Sequence, residues 1–353
     1  MSFISDNHGD SRIKLSNRID PECDDDFLRF LQQMGMDYCY AWVSKEQANY
    51  EFISRLKERT AKFGLKLFNI GSLNWSKPPA VHLGLPGRDE DIENFNQFLR
   101  VLGRVGVPTT TITWEPDNVL STTLDGRMAA KRSQKGQGNT EGYYCITTRG
   151  DAPTRYVDAA VIESMPPVRG KLVSREQIWE NFKYFADACI PVAEEAKVRI
   201  CLHPNDPPLK VNLGVGTLIS SADDYRRVFE YTKSDYFGME FCCGCWLEGG
   251  AEKFGDIFSC IREFVRAGKV SIVHFRNVSS PLPRFSETFI DDGYANMYKI
   301  MKCFVESGYN GSLLYDHTPS MVPEAGLMGA NAYAIGYIKG VLHAAETELG
   351  KRN

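Results

Sequence analysis

The stretch VRICLHPNDPP, residues 198–208, is a short apolar run that stops on an imidazole, His203, and then stiffens into three prolines. Its length and apolar content suit a strand buried on both faces. Prolines just beyond such a strand hold its last side chain at little further entropic cost. The surrounding chain repeats the theme. Upstream, SREQIWENFKYFADACIPVAEEA (174–196) has helical spacing, and downstream SADDYRRVFEYT (221–232) opens on a serine cap. Strand-like YFGMEFC (236–242), VSIVHF (270–275) and GSLLYDH (311–317) then alternate with helix-like segments at 252–268, 293–308 and 330–349.

The first half carries the same alternation. RIKLSN (12–17), DYCYAWV (37–43), LKLFNIG (65–71) and the β-branched TTTITWE (109–115) read as strands. CDDDFLRFLQQMG (23–35), the segment 46–62 capped by Ser44, and the acid-led segment 89–106 read as helices. Eight strands and eight helices in strict order predict a (β/α)8 TIM barrel, one domain over residues 1–353. A doubly wound open sheet is the alternative, because alternation does not fix closure. The pattern breaks at 116–172, which holds GRMAAKRSQKGQGNTEG and little periodicity. A segment of that length is too long for an ordinary connection, so it is expected to be an inserted lid or oligomer arm, against a purely solvated loop.

Composition narrows the function. Net charge is −4 and no long basic block is present, which argues against nucleic acid or an anionic membrane as partner. No apolar run reaches a membrane-spanning length, and the N-terminus MSFISDNHGDSRIK lacks the apolar core of a secretory signal. Ten cysteines, mostly isolated within apolar segments, read as reduced thiols of a cytoplasmic protein. GVG at 214–216 does not lead from a strand directly into a helix, so it is discounted as a dinucleotide motif. The cysteines 242, 243 and 245 lack a second cluster to complete a structural zinc site.

A TIM barrel places its active site at the C-terminal ends of its strands. There the last four strands deliver His203, Cys242, His274 and Asp316, and His317 follows directly. A thiolate, two imidazoles and a carboxylate suit Zn, Fe(II) or Mn(II) better than Mg or Ca. Each residue also has an ordinary role open to it: backbone hydrogen bonding for a histidine, core filling for Cys242, loop capping for Asp316. His82, after the third strand, is a substrate-contact candidate or a solvated loop residue. Trp42, Trp114 and Trp246 suit pocket walls or core packing equally. His8 and His343 carry no role.

These residues resemble the mannonate dehydratases, the family typified by UxuA. IPVAEEAKVRICLHPNDPP (190–208), GMEFCCGC (238–245), VHFRN (273–277), YDHTP (315–319) and NAYAIGYIKGVL (331–342) match its motifs in order. The resemblance covers about 175–345. It implies a xylose-isomerase-like barrel and an Mn(II)- or Fe(II)-dependent lyase. That lyase would dehydrate a sugar acid, D-mannonate to 2-keto-3-deoxy-D-gluconate or a close analogue. It implies His203, Cys242, His274 and Asp316 as metal ligands and Asp316, Tyr333 and His317 as catalytic residues. Within that set Asp316 and Tyr333 are the acid–base partners. Arg276 and His317 would contact substrate, and a homo-oligomer is expected. Differences fall on the substrate-facing rim: Asn205 stands in place of an aspartate, and Thr318-Pro319 in place of Gly-His. An isomerase or epimerase on the same scaffold, or a non-catalytic ligand-binding barrel, are the competing readings.

Overall fold

In a computed structural model of the chain, residues 13–115, 120–129 and 146–351 are described. His8 and residues 130–142 of the glycine-rich stretch lie outside them. Eight strands form the frame: β1 (Lys14–Ile19), β2 (Tyr38–Val43), β3 (Lys66–Ser72), β4 (Thr109–Thr113), β5 (Arg199–His203), β6 (Phe237–Cys242), β7 (Val270–His274) and β8 (Ser312–Leu314). Each pairs in parallel with its neighbours in sequence, and β8 returns to β1 through Lys14↔Ser312 and Leu15↔Leu313, so the sheet closes. Closure removes the open-sheet alternative.

The principal helices are α1 (Asp25–Gln33), α2 (Tyr50–Ala61), α3 (Arg88–Val105), α4 (Arg175–Ala196), α5 (Ala222–Thr232), α6 (Ile257–Arg266), α7 (Met297–Glu306) and α8 (Gly326–Glu348). Their apolar faces pack against the outside of the sheet in one large core. A smaller cluster joins Tyr38, Tyr40, Phe68, Cys201, Ile272 and Leu314. These side chains come from five strands and recur at two-residue spacing on β2, which is the spacing of one strand face. None of the helices among the described residues is long and apolar enough to cross a membrane.

Three details differ from the sequence expectation. Ser44 does not cap α2. It caps a local turn, its hydroxyl accepting from the Gln47 backbone, and Asn49 accepts from Phe52 N–H at the true helix start. The segment 252–268 is two helices, because a buried one (Cys243–Phe254) follows β6 at once and gives way to α6. Gly250 near the end of the first helix and Gly255 just past it take positive φ, which a side chain would resist. The early helix was illegible because it is buried nearly all round and shows no amphipathic period. Finally, β8 stops at Leu314, and Asp316 lies past it with φ 63°.

The described part of the inserted segment is docked on the rim. Tyr156–Asp158 pairs antiparallel with Arg284–Ser286 in the loop after β7. Ile146–Thr148 pairs with Ala152–Thr154, and a helix follows at Ala159–Ser164. Ser320 N–H donates to Pro153 O, tying the segment to the loop after β8.

Candidate metal centre

The pleat of the sheet builds the site. Cys201 and Ile272 face the small inner cluster, and successive inward positions are two residues apart. His203 and His274 are therefore the next inward side chains on β5 and β7. Glu240 and Cys242 stand in the same relation on β6, and Leu314 and Asp316 beyond β8. Register brings Cys242 directly opposite His274. The four sequence-named ligands converge: one donor atom from each of His203, Cys242, His274 and Asp316 lies within 4.8 Å of every other. The left-handed backbone at Asp316, uncommon outside glycine, turns its carboxylate into that group.

The donor set fits a divalent cation. His203 Nδ1 lies 2.7 Å from Pro204 O, an arrangement that leaves Nε2 for the centre. His274 is buried and neither ring nitrogen has an aligned hydrogen-bond partner. Its Nε2 stands 2.5 Å from Glu240 Oε1 and its Nδ1 3.2 Å from Asp316 Oδ2. A carboxylate behind an imidazole, with the opposite nitrogen turned toward further anionic donors, is the arrangement that supports a metal-bound histidine. Burial pushes the Cys242 thiol up, but Cys245, Arg276 and the two histidines outweigh it and favour thiolate. Burial likewise opposes ionisation of Asp316, while His274 and His317 hold its carboxyl far below the usual range.

Beside this centre lies a buried charge network that the sequence did not reveal. Arg276, 1% exposed, gives Nη1 to Glu248 at 2.7 Å, Nη2 to Asp206 at 2.7 Å and Nε to Asp316 at 3.2 Å. Arg155, from the inserted segment, reaches Asp206 at 2.7 Å and Glu287 at 3.1 Å. Glu287 in turn holds His317 Nδ1 at 2.8 Å, and His317 Nε2 lies 3.4 Å from Asp316 Oδ1. Burial alone would lower the His317 pKa, but Asp316 and Glu287 lift it to about 9. Burial and the neighbouring Asp206 raise Glu248 to about 8, against the pull of the two arginines. Asp206 goes the other way, to about 2, because Arg155 and Arg276 overcome its burial. A glutamate within the apolar run CCGCWLEGG was the one visible sequence signal for Glu248. Arg155 and Glu287 carried none, since only the docked insertion brings them together.

The other sequence-named residues are placed as follows. Arg276 is enclosed by protein carboxylates, so a substrate carboxylate would have to displace one of them. Asn205 spans two loops, donating to Trp114 O and accepting from Ile219 N–H at 3.0 and 2.9 Å. His82 is buried rather than solvated, its ring 4.4 Å from that of Trp114. Burial lowers its pKa to about 3 and keeps it neutral. Trp114 and Trp246 are core residues, packed on Phe182 and Phe185 and on Phe241 and Phe254. The Tyr333 hydroxyl donates to Asp291, and its ring packs edge-on against Phe289. The nine described cysteines are all free thiols.

Comparison with known proteins gives a consistent family. The mannonate dehydratase of Thermotoga maritima is 29% identical over 326 residues, covering 84% of this chain and 86% of the relative. Mannonate dehydratase 2 of Halalkalibacterium halodurans is 28% identical over 318 residues, covering 84% and 88%. The solved mannonate dehydratase of Streptococcus suis serotype 2 superposes with a TM-score of 0.77 over 98% of this chain and 96% of that one, at 22% identity. An L-ribulose 3-epimerase superposes with a TM-score of 0.58 over 96% and 97%, at 15% identity, and shares the fold alone. The sequence profile described as D-mannonate dehydratase (UxuA) matches residues 40–352. With nearly the whole barrel under that profile, including every strand that feeds the four-donor centre, the chain belongs to the D-mannonate dehydratase (UxuA) family.

Proposed function

We propose that this protein is a metal-dependent hydro-lyase that converts D-mannonate, or a close analogue, to the 2-keto-3-deoxy acid. The convergence of His203, Cys242, His274 and Asp316 carries this reading. These four would hold Mn(II) or Fe(II), with Zn(II) a third candidate. When bound, the cation supplies positive charge beside the substrate carboxylate and so makes the hydrogen on the adjacent carbon removable. The hydroxyl on the next carbon leaves as water, and the resulting enol rearranges to the ketone.

The protein's own part is proton handling. His317, anchored through Nδ1 to Glu287 with Nε2 3.4 Å from Asp316 Oδ1, serves as donor to the departing hydroxyl. Tyr333 is the second proton carrier, reached once its bond to Asp291 is exchanged. Asp316 is a ligand and is ionised at rest, because against its burial His274 and His317 lower its pKa. It takes up the proton removed from the carbon beside the substrate carboxylate and can return it to His317 Nε2, 3.4 Å from its Oδ1. Arg276 sets the Asp316 orientation, and Asn205 and His82 shape the rim behind the site. The protein is proposed to work in the cytoplasm as a homo-oligomer. The insertion leaves Leu124, Val168 and Leu172 exposed and suits an oligomer arm.

The test is direct. Protein incubated with mannonate and Mn(II) should accumulate a 2-keto-3-deoxy acid, read by a colour reaction. His317→Gln and Tyr333→Phe should each lower kcat by about 10²–10⁴-fold. Metal content should fall in His203→Ala and His274→Ala beside wild type. A mass-neutral conversion of a sugar, without loss of water, would instead support an epimerase.

A further inference from the structure

The inserted segment brings one fully enclosed cation into the site. Arg155 is 2% exposed. Its Nε and Nη2 donate to Leu120 O at 3.0 and 2.7 Å, so the guanidinium is fixed within the segment itself. Its remaining reach goes to the barrel: Nη2 to Asp206 Oδ1 at 2.7 Å and Nη1 to Glu287 Oε1 at 3.1 Å. Those two carboxylates are the ones that orient the site. The same Glu287 oxygen holds His317 Nδ1, and Asp206 holds the Arg276 that contacts Asp316.

The backbone reinforces this link. Glu287 N–H donates to Arg155 O at 3.1 Å, and Thr154 Oγ1 donates to Glu287 O at 2.9 Å. Glu287 is thus gripped through both main chain and side chain by consecutive residues of the insertion. A second arginine of the segment follows the same plan. Arg149 holds Asp291 bidentately at 2.9 and 3.0 Å, and Asp291 accepts from the Tyr333 hydroxyl. Both proton carriers therefore rest on carboxylates that arginines of the insertion fix. A planar fork that contacts a carbonyl and two carboxylates at once is a geometry lysine cannot copy.

We infer that Arg155 is a positioning residue: through Glu287 it sets the His317 imidazole, and through Asp206 and Arg276 the Asp316 carboxylate, for the dehydration step. The inference rests on the reading of His317 as proton donor. A misplacement of a reacting group by about 1 Å can lower turnover by about 10²-fold, and that is the size of effect expected.

The test compares Arg155→Met and Arg155→Lys with wild type, all loaded with Mn(II). Arg155→Met should keep its metal content and a KM within about threefold of wild type, while kcat falls by about 10²-fold. Arg155→Lys should recover part of that loss. The crystal structure of Arg155→Met should show the Glu287–His317 hydrogen bond lengthened or lost. A merely structural arginine would lower the melting temperature and leave kcat of the folded fraction unchanged, and that result overturns the inference. So does a kcat loss matched by an equal loss of metal, or an unmoved Glu287–His317 pair. If Arg155→Met does not fold, Arg155→Lys decides by the same criteria. If wild type fails to dehydrate mannonate, the substrate reading falls, and the crystallographic comparison still decides whether Arg155 places His317.

Discussion

Glu240 shows how a single side chain can tune the centre without joining it. It lies two residues before Cys242 on β6, buried and 2.5 Å from the far nitrogen of His274. Removing such a carboxylate leaves the ligand in place but loosens its orientation and lowers its basicity. Glu240→Gln should weaken metal affinity by about 10–100-fold, read by competition with a chromogenic chelator. Glu248 makes a different prediction. Burial and the neighbouring Asp206 raise its pKa to about 8 on folding from the ordinary 4.5, so the folded state holds a proton that the unfolded chain has released. Stability contributed by that proton is present below about 4.5 and is lost as pH rises toward 8. Glu248→Gln, a neutral mimic, should match wild type at the acid end of this window. It should gain on wild type above it by up to about 1.4 kcal/mol per pH unit, in urea titrations at several pH values.

Elements fix these residues by close approach. The helix Cys243–Phe254 starts within the site, and Gly244 lies under Arg276. A Cβ there would stand 2.2 Å from the guanidinium carbon. Gly244→Ala should therefore displace Arg276, lower kcat by at least about tenfold and destabilise the fold by about 1–3 kcal/mol, read by kinetics and thermal melts together. Ser174 caps α4 by accepting from Gln177 N–H at 3.1 Å. Ser174→Ala should cost about 1 kcal/mol of stability and leave kcat unchanged. The two substitutions separate an element's support of the site from its support of the fold. Legibility follows the same division. The Ser221 cap of α5 and the strand before His203 could be read because local chemistry sets them. The helix after β6 could not, because its burial comes from tertiary packing.

At the scale of the whole molecule, the ligands were legible because a barrel turns order along the chain into position around a rim. His203, Cys242 and His274 end successive strands, so strand order alone placed them together. The Arg155–Glu287–His317 relay was not legible, because its first two members are far apart in sequence and neither sits on a strand end. A cation held by four donors also ties the last four strands to one another, and binding to the folded state alone adds stability by mass action. Removal of metal with a chelator should lower the melting temperature by several degrees, and re-addition of Mn(II) should restore it. Sedimentation velocity should give more than one chain per particle if the insertion is an oligomer arm.

The seam between β1 and β8 sets a timetable for synthesis. Lys14 pairs with Ser312, so the first strand of the barrel to be made must wait for the last. Until then the growing sheet carries two raw borders, open to pairing with other chains. A product cut short before residue 312 would keep those borders for good and should be found in inclusion bodies rather than in solution.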